Sequence, residues 1–257
     1  MKPSIAKLIR FTRILITLVV MAGLCWSAYE VVSYLRSAKR FEVQKLSVAG
    51  LKHVRESEVL GKAQFELGTN AFRVDLNEIR SRVEELDWVR HASVQRVLPD
   101  QIIINIVERE AIGLTRIKGE IYQFDVDGKI LNVDAESTTS FPILDSLRPG
   151  DHAGNLRKVE VYRSVLDDVG QTALSEIHVN DNRDVTVVSA SDPVMVNLGT
   201  GDFRTRWTRY LQLKPQIQQQ YPEAVRVDLR FKNQVIIRMK DDDVGEKIVW
   251  GGKKNTL

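Results

Sequence analysis

A chain of 257 residues, 43% apolar and 28% charged, has the composition of an ordinary globular protein and excludes both a disordered chain and a multi-span membrane protein. Its formal charge of +3 is unevenly held: residues 1–40 carry seven Lys or Arg and one Glu, whereas the remainder carries 30 basic and 33 acidic side chains. The basic excess therefore flanks an apolar N-terminal run, and the rest lacks the footprint of a nucleic-acid binder.

That run, residues 14–35, reads ILITLVVMAGLCWSAYEVVSYL and holds one charge, Glu30. A helix of about 20 apolar residues, rising ~1.5 Å each, crosses the hydrocarbon core of a bilayer. The run overshoots the apolar core of a cleaved signal peptide and lacks a small-x-small cleavage site. Leu24 before Cys25 is not the small residue a lipoprotein anchor requires, and a soluble core helix is not normally apolar all round. An uncleaved single-span anchor is expected. Lys2, Lys7, Arg10 and Arg13 precede it and Arg36, Lys39 and Arg40 follow; the free amino terminus tips this balance toward N-inside. Cys25, the single cysteine, lies inside the span, so the fold must rely on packing rather than an internal disulfide.

Residues 41–50, FEVQKLSVAG, alternate as a strand ended by a turn-tolerant glycine. Residues 56–65 predict a short helix with Val59, Leu60 and Ala63 on one side. A second helix starts at Asp75, with Glu78 completing a capping signature, and carries Leu76, Ile79, Val83 and Leu86 on one stripe. The period then changes to that of a β-hairpin: residues 89–97 and 102–107 are rich in β-branched residues, and Leu98, Pro99 and Asp100 supply the turn. Ile102, Ile104 and Ile106 share one face, which the helices can cover. The order strand, helix, helix, strand, strand describes a compact three-stranded sheet under two helices.

Beyond Ala111, residues 113–118 and 120–124 read as strands joined at Lys118 and Gly119. Asp125, Asp127 and Gly128 suggest a calcium loop only superficially, because its ligand spacing and terminal Glu are missing; a hairpin turn before residues 129–133 is expected. A polar connection at 136–140 leads to Phe141, Pro142, Ile143 and Leu144. Leu156, Val159, Tyr162, Leu166 and Val169 line a helical face, with Gly170 at its cap. Strands at 175–179, 184–188 and 193–198 follow. Gly199, Thr200 and Gly201 lack the lysine and longer glycine pattern of a phosphate loop and are expected to connect a strand to a helix marked by Phe203, Trp207, Tyr210 and Leu211. Pro215 inside that helix predicts a kink.

No catalytic constellation emerges. His53, His91, His152 and His178 show no metal-ligand spacing, and no nucleophile elbow, P-loop or thiol outside the span is present. Glu108 and Glu110 share a face at the polar end of the hairpin and are expected to be solvated. No cofactor and no metal are expected. Near the carboxyl end, Val225, Val227, Leu229 and Phe231 alternate, and Val235, Ile236 and Ile237 form a further short strand. These segments either complete an internal hairpin or leave a last strand whose free backbone groups accept a strand from another protein. Occupation of that margin by the chain's own backbone on both sides would remove the second possibility. Residues 240–257, with three consecutive aspartates and a short apolar island at 248–250, are expected to be a solvated, disordered tail.

The segments FEVQKLSVAGLKHV, DWVRHASVQRVLPDQIIINIVERE and AIGLTR, followed by IYQFDVDGKIL, VNLGTGDFRTRWTRYLQLKPQIQQQ and VDLRF, resemble the FtsQ/DivIB family of bacterial cell-division proteins in collinear order over most of residues 41–239. The resemblance implies an α+β fold: a transmembrane helix, then a small β-α-α-β-β POTRA domain and a mixed or antiparallel β-sheet domain with two helices. The expected divisions are a cytoplasmic segment 1–13, a transmembrane helix 14–35, a POTRA domain 41–110, a β domain 111–239 and the tail 240–257. It further implies a single bent helix through Pro215. The implied function is non-catalytic: a scaffold in the inner membrane at the division septum, amino terminus in the cytoplasm and later domains in the periplasm, linking early division components to FtsB, FtsL and septal wall synthesis. The partner-binding role carried over from the family falls on Phe231, Asn233, Gln234, Val235, Ile237 and Met239; Gln234 departs from the small residue the family often places after this turn. Two other classes are an anchored envelope-assembly or secretion factor that binds client strands through its POTRA edge, and an envelope hydrolase.

Overall fold

The computed structural model describes residues 5–133 and 141–240 and the backbone of Lys247 and Ile248; for residues 5–10 only the backbone is described. The expected connection at 136–140 and most of the tail at 240–257 lie outside these residues. The chain divides into two compact units, Met1–Glu108 and Arg109–Leu257.

The first unit opens with α1, Ile5–Ser37. Within it Phe11–Ser37 is long and apolar enough to cross a membrane, and none of that window is buried within the chain. Beyond α1, Asn70 donates from Nδ2 to the carbonyls of Leu35 and Ala38 at 3.0 and 3.2 Å, tying the end of the helix to the body of the unit. The body contains β1 (Lys45–Ala49), α2 (Glu56–Ala63), α3 (Leu76–Val83), β2 (Val89–Val97) and β3 (Gln101–Glu108). β3 is central, parallel to β1 and antiparallel to β2. Ile102, Ile104 and Ile106 bury one face of β3 among Val59 and Ala63 of α2 and Ile79 and Val83 of α3, the two-period and 3.6-period patterns meeting as their spacing requires.

Asp75 caps α3 by accepting from the backbone N–H of Asn77 and Glu78. Glu78 does not reciprocate; it turns outward to Arg82, one turn along the helix, at 3.0 Å. The helix stops at Val83, and Leu86 reaches the same core from the following turn. Gly50 ends β1 at φ +87, where a Cβ would stand 2.0 Å from the Ile106 carbonyl oxygen, so both conformation and space demand glycine.

The second unit contains β4 (Ala111–Ile117), β5 (Glu120–Asp125), β6 (Ile130–Leu131), β7 (Ile143–Leu144), α4 (His152–Val169), β8 (Leu174–Val179), β9 (Val185–Ser189), β10 (Asp192–Gly199), α5 (Phe203–Gln220), β11 (Ala224–Asp228), β12 (Ile236–Met239) and the two-residue β13, Lys247–Ile248. They form one sheet in the order β13-β12-β11-β10-β9-β8-β7-β4-β5-β6. Most neighbours are antiparallel, but β7 runs parallel to β4 and β8, and β11 parallel to β10 across the α5 crossover. Tyr162, Val159 and Val165 of α4 and Phe203, Trp207, Tyr210 and Ile217 of α5 join the sheet's apolar residues in the core.

Two helical faces differ from the sequence expectation. On α4, Leu156 is exposed while Asn155 and Lys158 are buried, because both polar side chains find partners: Asn155 donates to the Gly128 and Arg148 carbonyls, and Lys158 donates to the Ser146 carbonyl and pairs with Asp181. On α5, Leu211 is exposed, and Ile217 completes the buried face beyond Pro215, through which the helix continues. A register shift between Ala224 and Arg226 in β11 likewise breaks the expected alternation, leaving Val225 exposed and Val227 buried.

Candidate partner-binding margin

The six residues expected to bind a partner lie in one short stretch but have different surroundings. Val235 and Ile237 are each 2% exposed and belong to the core, beside Leu213, Ile217 and Tyr221 of the helical layer. Their side chains are thus committed to holding β12 against α5. Phe231 is 40% exposed and Asn233 is also exposed, while Gln234 and Met239 are half-buried. Of the six, Phe231 and Asn233 present the side chains a partner can reach.

The turn carrying Phe231 is fixed by charges. Asp228, at the end of β11, accepts from the Arg230 backbone N–H at 3.0 Å and pairs with its guanidinium at 2.7 Å. Asp184 meets the same guanidinium at 3.1 Å. The Asp228 hydrogen bond, foremost, raises the Arg230 pKa above its ordinary value, so the group is a permanent cation. Arg209 of α5 donates from Nη1 to the carbonyls of Phe231 and Lys232, both at 3.0 Å. Arg209 and Arg230 border a groove of about 470 Å³ that Asp202, Arg206, Leu229, Phe231 and Lys232 also line. An apolar ring beside several cations suits a peptide that carries both apolar and acidic side chains.

β12 pairs with β11 on its inner side. Its outer side is not wholly open: Ile236 and Ile237 face Ile248 and Lys247 of β13, antiparallel. Among the described residues, the expected free margin is therefore met at Ile236 and Ile237 by the chain's own backbone. The sequence reading missed this return because two residues inside a polar tail carry no periodic signal. Arg209 was equally invisible, since no spacing connects it to a carbonyl 22 positions away.

Other residues singled out by sequence serve structure. Glu108 is buried rather than solvated, its side chain 3% exposed; it accepts from the backbone N–H groups of Lys52, His53 and Val54 and pairs with His53 Nδ1 at 2.9 Å. His53 in turn stacks on Trp88, with ring centroids 4.4 Å apart. His91 pairs with Glu84, and His178 lies near Glu176 and Asp145. Asp125 accepts from the backbone N–H of Asp127 and Lys129 and from Arg109, which makes the 125–129 segment a braced turn. Among the described residues no cluster of three His, Cys, Asp or Glu side chains is placed to hold a metal ion.

Comparison with known proteins gives two family matches. Residues 41–109 match the POTRA domain, FtsQ-type, and residues 113–230 match cell division protein FtsQ/DivIB, C-terminal. Cell division protein FtsQ of Koribacter versatilis (strain Ellin345) is 27% identical over 90% of this chain and 70% of its own length. Cell division protein FtsQ of Escherichia coli (strain K12) is 26% identical over 86% of this chain and 82% of its own length. The solved major extracytoplasmic domain of the cell division protein DivIB from Geobacillus stearothermophilus shares 18% identity over 44% of this chain and 98% of that one, with a TM-score of 0.28.

Proposed function

This chain belongs to the FtsQ/DivIB family of cell division proteins, and from that premise we propose that it is a non-catalytic, single-span scaffold of the bacterial division machinery. Residues 1–13 lie in the cytoplasm, 14–35 cross the inner membrane, and the POTRA domain 41–110 and β domain 111–239 lie in the periplasm at the septum. The β domain binds FtsB, itself held with FtsL, and thereby couples early division components to septal wall synthesis.

The observation that carries this reading is an exposed aromatic, Phe231, beside the marginal strand β12, whose outer pairing among the described residues is with the two residues of β13. Strand addition supplies backbone hydrogen bonds worth ~0.5–1.5 kcal/mol each, and an aromatic anchor supplies the remaining affinity and the specificity. Confinement to the membrane plane raises the effective concentration of such a partner, so modest affinity suffices.

The test is direct binding of the periplasmic part of FtsB from the same organism to the full chain in detergent micelles. The reading expects saturable binding that weakens at least about tenfold in Phe231→Ala; no binding to the unaltered chain overturns it. A second reading, an anchored assembly factor for client strands, draws support from β2, which is an outer strand of the three-stranded sheet. Competition separates the two: a scaffold keeps FtsB in an excess of unrelated extended peptides, whereas a client-binding module exchanges it.

A further inference from the structure

We infer that β13 is an internal plug: the chain's own Lys247–Ile248 segment competes with the incoming partner for the outer side of β12, and binding proceeds by displacing it. The inference rests on the proposed function, because it concerns the regulation of that same margin.

A strand has one row of backbone N–H and C=O groups on each side, so occupancy is exclusive wherever two candidates meet. β12 has already used its inner row on β11. Ile248 and Lys247 stand opposite Ile236 and Ile237, on the row a partner strand would need. The side chains at Val235 and Ile237 are locked in the core, so β12 cannot rotate to offer another face. Competition is therefore for backbone hydrogen bonds, and the competitor must itself be an extended peptide.

The plug is built to yield. It spans two residues, far short of what an independently stable strand needs, and is kept in place because it is tethered: only residues 240–246 separate it from β12, which gives it a local concentration in the millimolar range. Within β12 the described pairing with β13 falls at Ile236 and Ile237, the row a partner strand must take over. A partner strand that takes this row replaces the plug. Until then its apparent affinity is lowered by the fraction of time the margin is closed.

The experiment measures FtsB binding to three forms of the full chain in micelles: unaltered, ending at Lys240, and carrying Lys247→Pro with Ile248→Pro, which removes both donors of β13. Thermal unfolding of each form checks that the fold is retained. The plug predicts about tenfold tighter binding for both altered forms, corresponding to a margin open roughly one-tenth of the time. Equal affinity overturns the inference, and weaker affinity does so too, since it would make β13 part of the partner's platform. If FtsB binds none of the three, the proposed function fails, and the plug is then decided separately by adding a synthetic peptide of residues 244–252 to the isotope-labelled form ending at Lys240. Shifts at the Ile236 and Ile237 amide signals support it; their absence overturns it.

Discussion

Glu108 shows how one carboxylate can close a unit. Burial opposes its charge, but three backbone N–H groups and His53 more than offset that, holding its pKa below the ordinary carboxylate value of 4.5. Because the folded-state value is depressed, the stabilisation is complete above the unfolded value and is lost as pH falls through the folded one. Glu108→Gln should cost about 2–4 kcal/mol in urea unfolding at pH 7, and the gap from the unaltered chain should narrow below about pH 4.5. A gap that stays constant on acidification would contradict the clasp. The sequence hides this role, since a glutamate at the end of an alternating strand reads as solvated until the segment 52–54 is folded beside it. The margin residues divide on the same scale. Phe231→Ala should leave stability within about 1 kcal/mol while weakening FtsB binding, and Ile237→Ala should cost about 2–4 kcal/mol through a core cavity. Paired unfolding and binding measurements separate the two, and a large stability loss in Phe231→Ala would remove its assignment as an anchor.

Elements were legible wherever local pattern and tertiary packing agree. The cap at Asp75, the alternating isoleucines of β3 and the turn at Lys118 and Gly119 are all local signals, and each appears where its residues place it. Legibility failed where long-range partners override local character. Asn155 is buried because the Gly128 carbonyl, 27 positions away, receives it and Lys158 because it pairs with Asp181, and the shift in β11 turns Val225 out while Val227 stays buried. Gly50 tests the packing of β1 against β3. Gly50→Ala should destabilise the first unit by at least about 2 kcal/mol, since it combines a left-handed backbone with a collision on the Ile106 carbonyl. A thermal midpoint equal to that of the unaltered chain would show that this approach can relax freely.

For the whole molecule the account requires an anchor and a binding surface, and neither depends on reactive chemistry. Among the described residues, the large apolar side chains of α1 from Phe11 to Tyr34 are exposed, as a lipid-facing helix requires. Val19→Lys with Val20→Lys should place two charges near the bilayer centre, at about 2.5–3.5 kcal/mol each on insertion scales, and release much of the protein from washed membranes. Full retention would argue that another segment holds it there. The scaffold itself is tested most directly in dividing cells, by placing a photo-crosslinking amino acid at Asn233, on the exposed turn beside β12, and at Arg163, on the exposed side of α4, as a control. The account predicts a crosslink to FtsB from position 233 and none from position 163; FtsB absent from the products at 233 while the protein supports division would contradict it.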